Sequence, residues 1–201
     1  MNVTKPIGEE QLANLNQKKG VVLNSDNVDI LNTSYYKKTG NIDENCDLIT
    51  LKIFKTEKGK PYIENNHMHF NISHSENLWI CAIWRRDVGI DVQVKKKIDF
   101  MKFASRYFTR NEIEFLKECD SDKKLKKEFY RIWTMKEAIV KLNGESIFSQ
   151  NKKYEVVREN SIVSELGGVC CREVMLDDNF QCCIAYRTLS DEEININLVN
   201  L

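Results

Sequence analysis

The sequence predicts an α+β protein, on three observations. Strand-like segments come first, at 48–54, 78–84 and 88–94. Helical spacing then dominates from Asp99 to Leu142, and strand-like segments return after it. Strands and helices segregated along the chain point to sheets with helices packed on one side. The chain has 201 residues, 42% hydrophobic and 30% charged, which suffices for a real core and is too apolar for disorder.

Each element has its own signal. Weak helical patterns lie around 9–18 and 28–38. "LITLKIF" (48–54) reads as a strand, and the turn-like "KTEKGKPYI" follows it. Strands at 78–84 and 88–94 are joined by the tight link Arg85 to Asp87. Asp99 can cap a helix whose apolar residues are Phe100, Phe103, Tyr107 and Phe108. "TRNE" (109–112) is a capping box that opens a second helix through Ile113, Phe115 and Leu116. "CDSDKK" interrupts the pattern; a long helix runs from about Leu125 to Leu142 and ends at Asn143-Gly144. "YEVV", "GVCCREVML" and "FQCCIAYR" are strand-like.

Composition excludes several classes. Thirty basic residues balance thirty acidic ones, so no global field draws in nucleic acid or membrane. "MNVTKPIGEEQL" lacks the apolar core of a signal peptide, and the longest apolar run, "LWICAIW", is far too short to span a bilayer. The seven cysteines include the adjacent pairs Cys170/Cys171 and Cys182/Cys183. Neighbours on a strand face opposite ways, so reduced cysteines packed as small hydrophobes in a cytoplasmic protein are expected.

The chemistry-bearing stretch is "GIDVQV" (89–94). Val88, Ile90, Val92 and Val94 face one way; Gly89, Asp91 and Gln93 face the other, with Gly89 expected to leave that surface open to a ligand. Taken alone this is an amphipathic strand with a wet face. In "IWTMKEAIVK", however, Phe129, Trp133, Glu137 and Lys141 form one i, i+4 row. A surface Glu137–Lys141 pair would explain the spacing but not the aromatics that begin the row. A strand carboxylate meeting a helix carboxylate suits Mg²⁺, which takes a few oxygen ligands at about 2.0–2.1 Å and the rest from water and phosphates.

"GKPYI", "FNISHS", "GIDVQV" and "WTMKEAIVK", in that order from about Lys58 to Leu142, resemble the motifs of the 4'-phosphopantetheinyl transferases of the Sfp-like class. The resemblance implies Mg²⁺-dependent transfer of the phosphopantetheine arm of coenzyme A to a serine of an apo carrier protein. It also implies a pseudo-dimer of two similar α+β lobes with antiparallel sheets, about 1–87 and 88–201, with coenzyme A in the cleft between them. An internal pseudo-dimer makes a monomer sufficient.

Site residues follow from the same resemblance. Asp91 is the expected principal Mg²⁺ ligand, Glu137 the second ligand and the general base, and Gln93 a weak or indirect ligand. Lys136 and Lys141 correspond to lysines near the coenzyme A phosphates, Lys136 with a catalytic part. Ser73 and His74 match phosphate contacts, and Lys60 and Pro61 the segment holding the nucleotide end. Phosphoryl transfer needs charge neutralised on oxygens and an aligned nucleophile, which these residue types supply.

Other features carry less. Glu112 is accounted for by the capping box, and His67 and His69 by a loop before a strand. Lys95, Lys96, Lys97, Lys102, Arg106 and Arg110 form a basic cluster that is either a solvated face or the dock for an acidic carrier protein. Two departures from the family stand out: Gln93 replaces a frequent Glu, and no Arg-rich helix is visible in a short first lobe. The alternative they motivate is a paralogue that binds coenzyme A or a carrier without transfer.

Overall fold

A computed structural model of the chain describes residues 28–33, 53–56, 60–63, 69–145, 153–187 and 196–200. Two four-stranded sheets dominate. The first has the order β12-β1-β5-β4, built from β1 (Val28–Thr33), β4 (His69–Ser75), β5 (Leu78–Trp84) and β12 (Ile196–Asn200). The second has the order β6-β11-β10-β9, from β6 (Val88–Val94), β9 (Glu165–Leu166), β10 (Val169–Glu173) and β11 (Phe180–Tyr186). Hairpins β2 (Ile53–Lys55) with β3 (Pro61–Ile63), and β7 (Val157–Arg158) with β8 (Ser161–Ile162), complete the strands. All these pairings are antiparallel except β1 with β12. Among the described residues, three helices follow β6: α1 (Phe100–Tyr107), α2 (Arg110–Lys117) and α3 (Asp122–Leu142).

The α+β expectation holds, with local corrections. Residues 28–33 form a strand where a helical pattern was read; its register on β5, Asp29 opposite Ile83 through Thr33 opposite Trp79, shows sheet pairing overriding weak propensity. The pattern at 9–18 and residues 48–52 lie outside the described residues. "FNISHS" is itself a strand. Asp99, the capping box and the stop at Asn143 fall where expected, but α3 starts at Asp122, because Ser121 Oγ accepts the Lys124 N–H and turns the supposed break into an N-cap. The division at 87/88 is crossed by β12, which lies beside β1 in the sheet of the earlier residues.

The second sheet is covered on both faces. On one, Val88, Ile90, Val92, Cys182, Ile184 and Tyr186 pack against Leu78, Ile80, Ala82 and Trp84 of β5. On the other, α3 lies over β6 and β11 through Ile132, Met135, Ala138, Ile139 and Leu142, with Cys171, Cys183 and Ala185 beneath. Phe103, Phe108, Phe129 and Trp133 tie α1 and the turn after it to α3. The six described cysteines are free, and burial pushes the Cys81 thiol up to about 12, so it behaves as a small hydrophobe.

Gly89 has a packing reason, which corrects its reading as an opening for a ligand. A Cβ there would stand 2.1 Å from the Ala138 carbonyl oxygen and 2.5 Å from the Leu142 nitrogen. Helix backbone occupies the space that a side chain would need, so α3 rests directly on β6.

Candidate active site

The outer edge of β6 meets β4 through side chains. Asn71 Oδ1 accepts the Ile90 N–H at 2.9 Å, Ser73 Oγ the Val92 N–H at 3.1 Å, and Ser75 Oγ the Val94 N–H at 2.9 Å. These acceptors lie two residues apart on β4, so they share one face and follow the repeat of N–H groups along an edge that would otherwise be unsatisfied. This seam was not read from the sequence. Its signal is polar Asn71, Ser73 and Ser75 alternating with Phe70, Ile72 and His74.

Asp91 sits at the centre of the seam, 2% exposed. Its Oδ1 accepts from Ser73 Oγ at 2.9 Å and from Lys141 Nζ at 2.7 Å, and Lys141 also donates to Ser73 Oγ at 2.9 Å. Its Oδ2 accepts from Gln93 Nε2 at 3.1 Å. Asp91, Ser73, Gln93 and Lys141 thus converge from two strands and a helix. Glu137 is also buried, one helical turn before Lys141 on the same face of α3.

Other expected residues lie elsewhere. Lys136 is fully enclosed: its ammonium donates to Glu112 Oε1 at 2.9 Å, to Oε2 at 2.8 Å, and to the Tyr154 carbonyl. One residue along a helix is a rotation of about 100°, so Lys136 cannot share the face of Glu137. It is therefore corrected from a phosphate contact to an internal tie. Burial pulls its ammonium below the ordinary lysine range, while Glu112 pulls the other way. Glu112 does more than close the capping box, since it also accepts the Val156 N–H at 2.9 Å.

His74 points away from Ser73, as strand alternation requires, and stacks on Trp79 with ring centroids 4.6 Å apart. Lys60 donates to Asp87 Oδ1 at 3.0 Å and to the Leu142 carbonyl at 3.1 Å, pinning the β2–β3 hairpin to the end of α3. His69 Nδ1 lies 3.2 Å from the same Asp87 oxygen; His67 is outside the described residues. Pro61 opens β3 opposite Lys55. In the basic cluster, Lys96 pairs with Glu76, Lys95 is half-buried, and Lys97, Lys102, Arg106 and Arg110 are exposed. A groove of about 480 Å³ adjoins them, lined by apolar Ile98, Phe100, Met101 and Leu125, by Lys97, Lys123 and Lys126, and by the acidic Asp99 and Asp122. The lysines of "KKLKK" (123–127) were not singled out by the sequence reading.

The family model of the 4'-phosphopantetheinyl transferase superfamily matches residues 87–198, more than half of the chain and all of the second sheet and its helices. The chain belongs to that superfamily. Its relatives are of the Sfp-like class. It is similar to 4'-phosphopantetheinyl transferase gsp of Aneurinibacillus migulanus (36% identical over 47% of this chain and 38% of the relative). It is likewise similar to Sfp of Bacillus subtilis strain 168 (35%, over 50% and 45%) and to HetI of Nostoc sp. (36%, over 45% and 40%). The matches thus span less than half the length of these curated relatives.

A phosphopantetheinyl transferase of this class implies a magnesium site. Among the described residues, no three His, Cys, Asp or Glu side chains cluster to hold an ion on their own. The donor set still fits a hard divalent cation that shares substrate oxygens: Asp91 and Glu137 are carboxylates, Gln93 has an amide oxygen, and Asp91 already binds a cationic group, the Lys141 ammonium. Among the described residues, no helix is long and apolar enough to cross a membrane.

Proposed function

We propose that the chain transfers the 4'-phosphopantetheine arm of coenzyme A to a serine of an apo carrier protein, releasing adenosine 3',5'-bisphosphate. The observation that carries this reading is the convergence of buried Asp91 with Ser73, Gln93 and Lys141, of which Asp91, Gln93 and Lys141 lie inside the segment matched by the family. Asp91 and Glu137 would hold Mg²⁺, with Gln93 a weaker or water-mediated ligand. When bound, the ion neutralises charge on the pyrophosphate oxygens. Glu137 accepts the proton of the carrier serine as its oxygen attacks the β-phosphorus, and adenosine 3',5'-bisphosphate leaves with the other phosphate. Lys141 donates to a phosphate oxygen. Ser73 contacts a phosphate, and Lys60 and Pro61 hold the nucleotide end, a role Lys60 takes by exchanging Asp87 for phosphate; His74, on the opposite face of the strand, keeps its stack on Trp79.

Coenzyme A lies in a cleft between two lobes of a pseudo-dimer, one around each four-stranded sheet, and a monomer suffices. The carrier is acidic and docks on the basic surface of Lys95, Lys96, Lys97, Lys102 and Arg106, with its apolar contacts in the adjoining groove. The reaction takes place in the cytoplasm.

Incubation with several apo carriers, coenzyme A and Mg²⁺, followed by intact-mass spectrometry, tests the reading. Addition of one phosphopantetheine to the carrier serine is expected. Coenzyme A or carrier binding with no transfer to any carrier would favour the non-catalytic paralogue, a reading to which Gln93 lends some support.

A further inference from the structure

We infer that Lys141 is a built-in counter-cation that occupies the Asp91 site until substrate arrives, making cation entry conditional on an anionic partner. Among the described residues, buried Asp91 meets three donors: Ser73 and Lys141 on Oδ1, Gln93 on Oδ2. Only Lys141 among them carries a charge. It balances the carboxylate at 2.7 Å while its own side chain remains 21% exposed, so it is held at the site yet has a way out. Ser73 fixes this arrangement. Its hydroxyl proton goes to Asp91, and its lone pairs take the Val92 N–H and the Lys141 ammonium.

A divalent ion seeking Asp91 Oδ1 would meet the lysine on the same oxygen. Like charges that close repel in a partly desolvated site, so one cation must leave. The four-carbon stem of lysine lets the ammonium swing away, but it then needs another anion. The phosphates of coenzyme A supply one. Metal and coenzyme A should therefore bind as a coupled pair, each raising the affinity of the other by the same factor.

The inference rests on the proposed metal role of Asp91 and Glu137. Its test needs no turnover. Mn²⁺ binding, followed by electron paramagnetic resonance without coenzyme A, is compared for wild type, Lys141→Met, Lys141→Gln and Lys141→Arg. The two neutral variants should bind Mn²⁺ about tenfold more tightly than wild type, the scale of an ordinary coupling, while Lys141→Arg stays weak. In the unaltered protein, saturating Mg²⁺ alone should raise amine labelling at Lys141 severalfold by mass spectrometry, and coenzyme A added with it should reverse the rise. Unchanged labelling, or neutral variants no tighter than wild type, overturns the inference while leaving the metal site standing if wild type binds Mn²⁺ with coenzyme A present. Failure to bind Mn²⁺ or Mg²⁺ under any of these conditions overturns both.

Discussion

Lys136 and Glu112 form an ion pair with both side chains at 0% exposure, separated by 2.8 Å and joined to the backbone of Thr109, Tyr154 and Val156. The pair ties α2, α3 and the segment leading to β7 at one point. Breaking one side leaves a buried charge without its counter-ion, so Lys136→Met or Glu112→Gln should cost about 3–5 kcal/mol in urea unfolding. The double variant should regain part of that loss. Folded Lys136→Met should keep its coenzyme A affinity; a marked loss in calorimetry would return Lys136 to the phosphate site.

Gly89→Ala should be destabilising by at least the roughly 1–3 kcal/mol typical of overpacking, because its Cβ would meet helix backbone at 2.1 Å and 2.5 Å. Thermal unfolding measures this. A variant as stable as wild type would mean that α3 lifts from β6 at little cost.

Glu137→Gln keeps shape and one oxygen but cannot take the serine proton. Single-turnover transfer should fall by about 10²–10⁴, with coenzyme A binding retained in calorimetry. A near-normal rate at saturating Mg²⁺ would leave Glu137 a ligand only and assign the base elsewhere.

Gln93 donates its amide to Asp91 Oδ2 at 3.1 Å, so its nitrogen faces the carboxylate. Gln93→Ala should therefore cost much less activity than Asp91→Ala, and Gln93→Glu should tighten Mg²⁺ binding by adding a third carboxylate beside Asp91 and Glu137. Equal losses for both alanine variants, with folding intact, would make the amide a full partner.

Asp87 gives an acid-side dependence. Burial works against its charge, but hydrogen bonds and charges from Lys60 and His69 outweigh burial and hold its carboxyl below the ordinary aspartate value. The unfolded chain then takes up the proton first as pH falls. The contribution is complete above the ordinary value of about 3.9 and is lost as pH falls through the lower folded value. The stability gap between wild type and Asp87→Asn should shrink over that interval in pH-dependent urea unfolding. A gap constant down to about pH 2 would remove the Lys60–Asp87 tie as its cause.

Local rules were enough for much of this protein. Alternation in 88–94 puts Asp91 and Gln93 on one face, and 3.6-residue spacing aligns Trp133, Glu137 and Lys141. Asp99 and the Thr109–Glu112 box mark where helices begin. Short-range geometry settles such features, so the sequence alone determined them, together with the family resemblance. Tertiary structure decided the rest. Only strand pairing turns 28–33 into β1 and brings β12 beside it. Only the meeting of β4 with β6 makes Asn71, Ser73 and Ser75 acceptors for another strand's amides. Lys136 and Lys141 are similar residues on one helix, yet one is sealed against Glu112 and the other reaches Asp91. A lysine's partner depends on what the fold packs against its face of the helix, and residues 24 and 50 positions away in the chain supply it here.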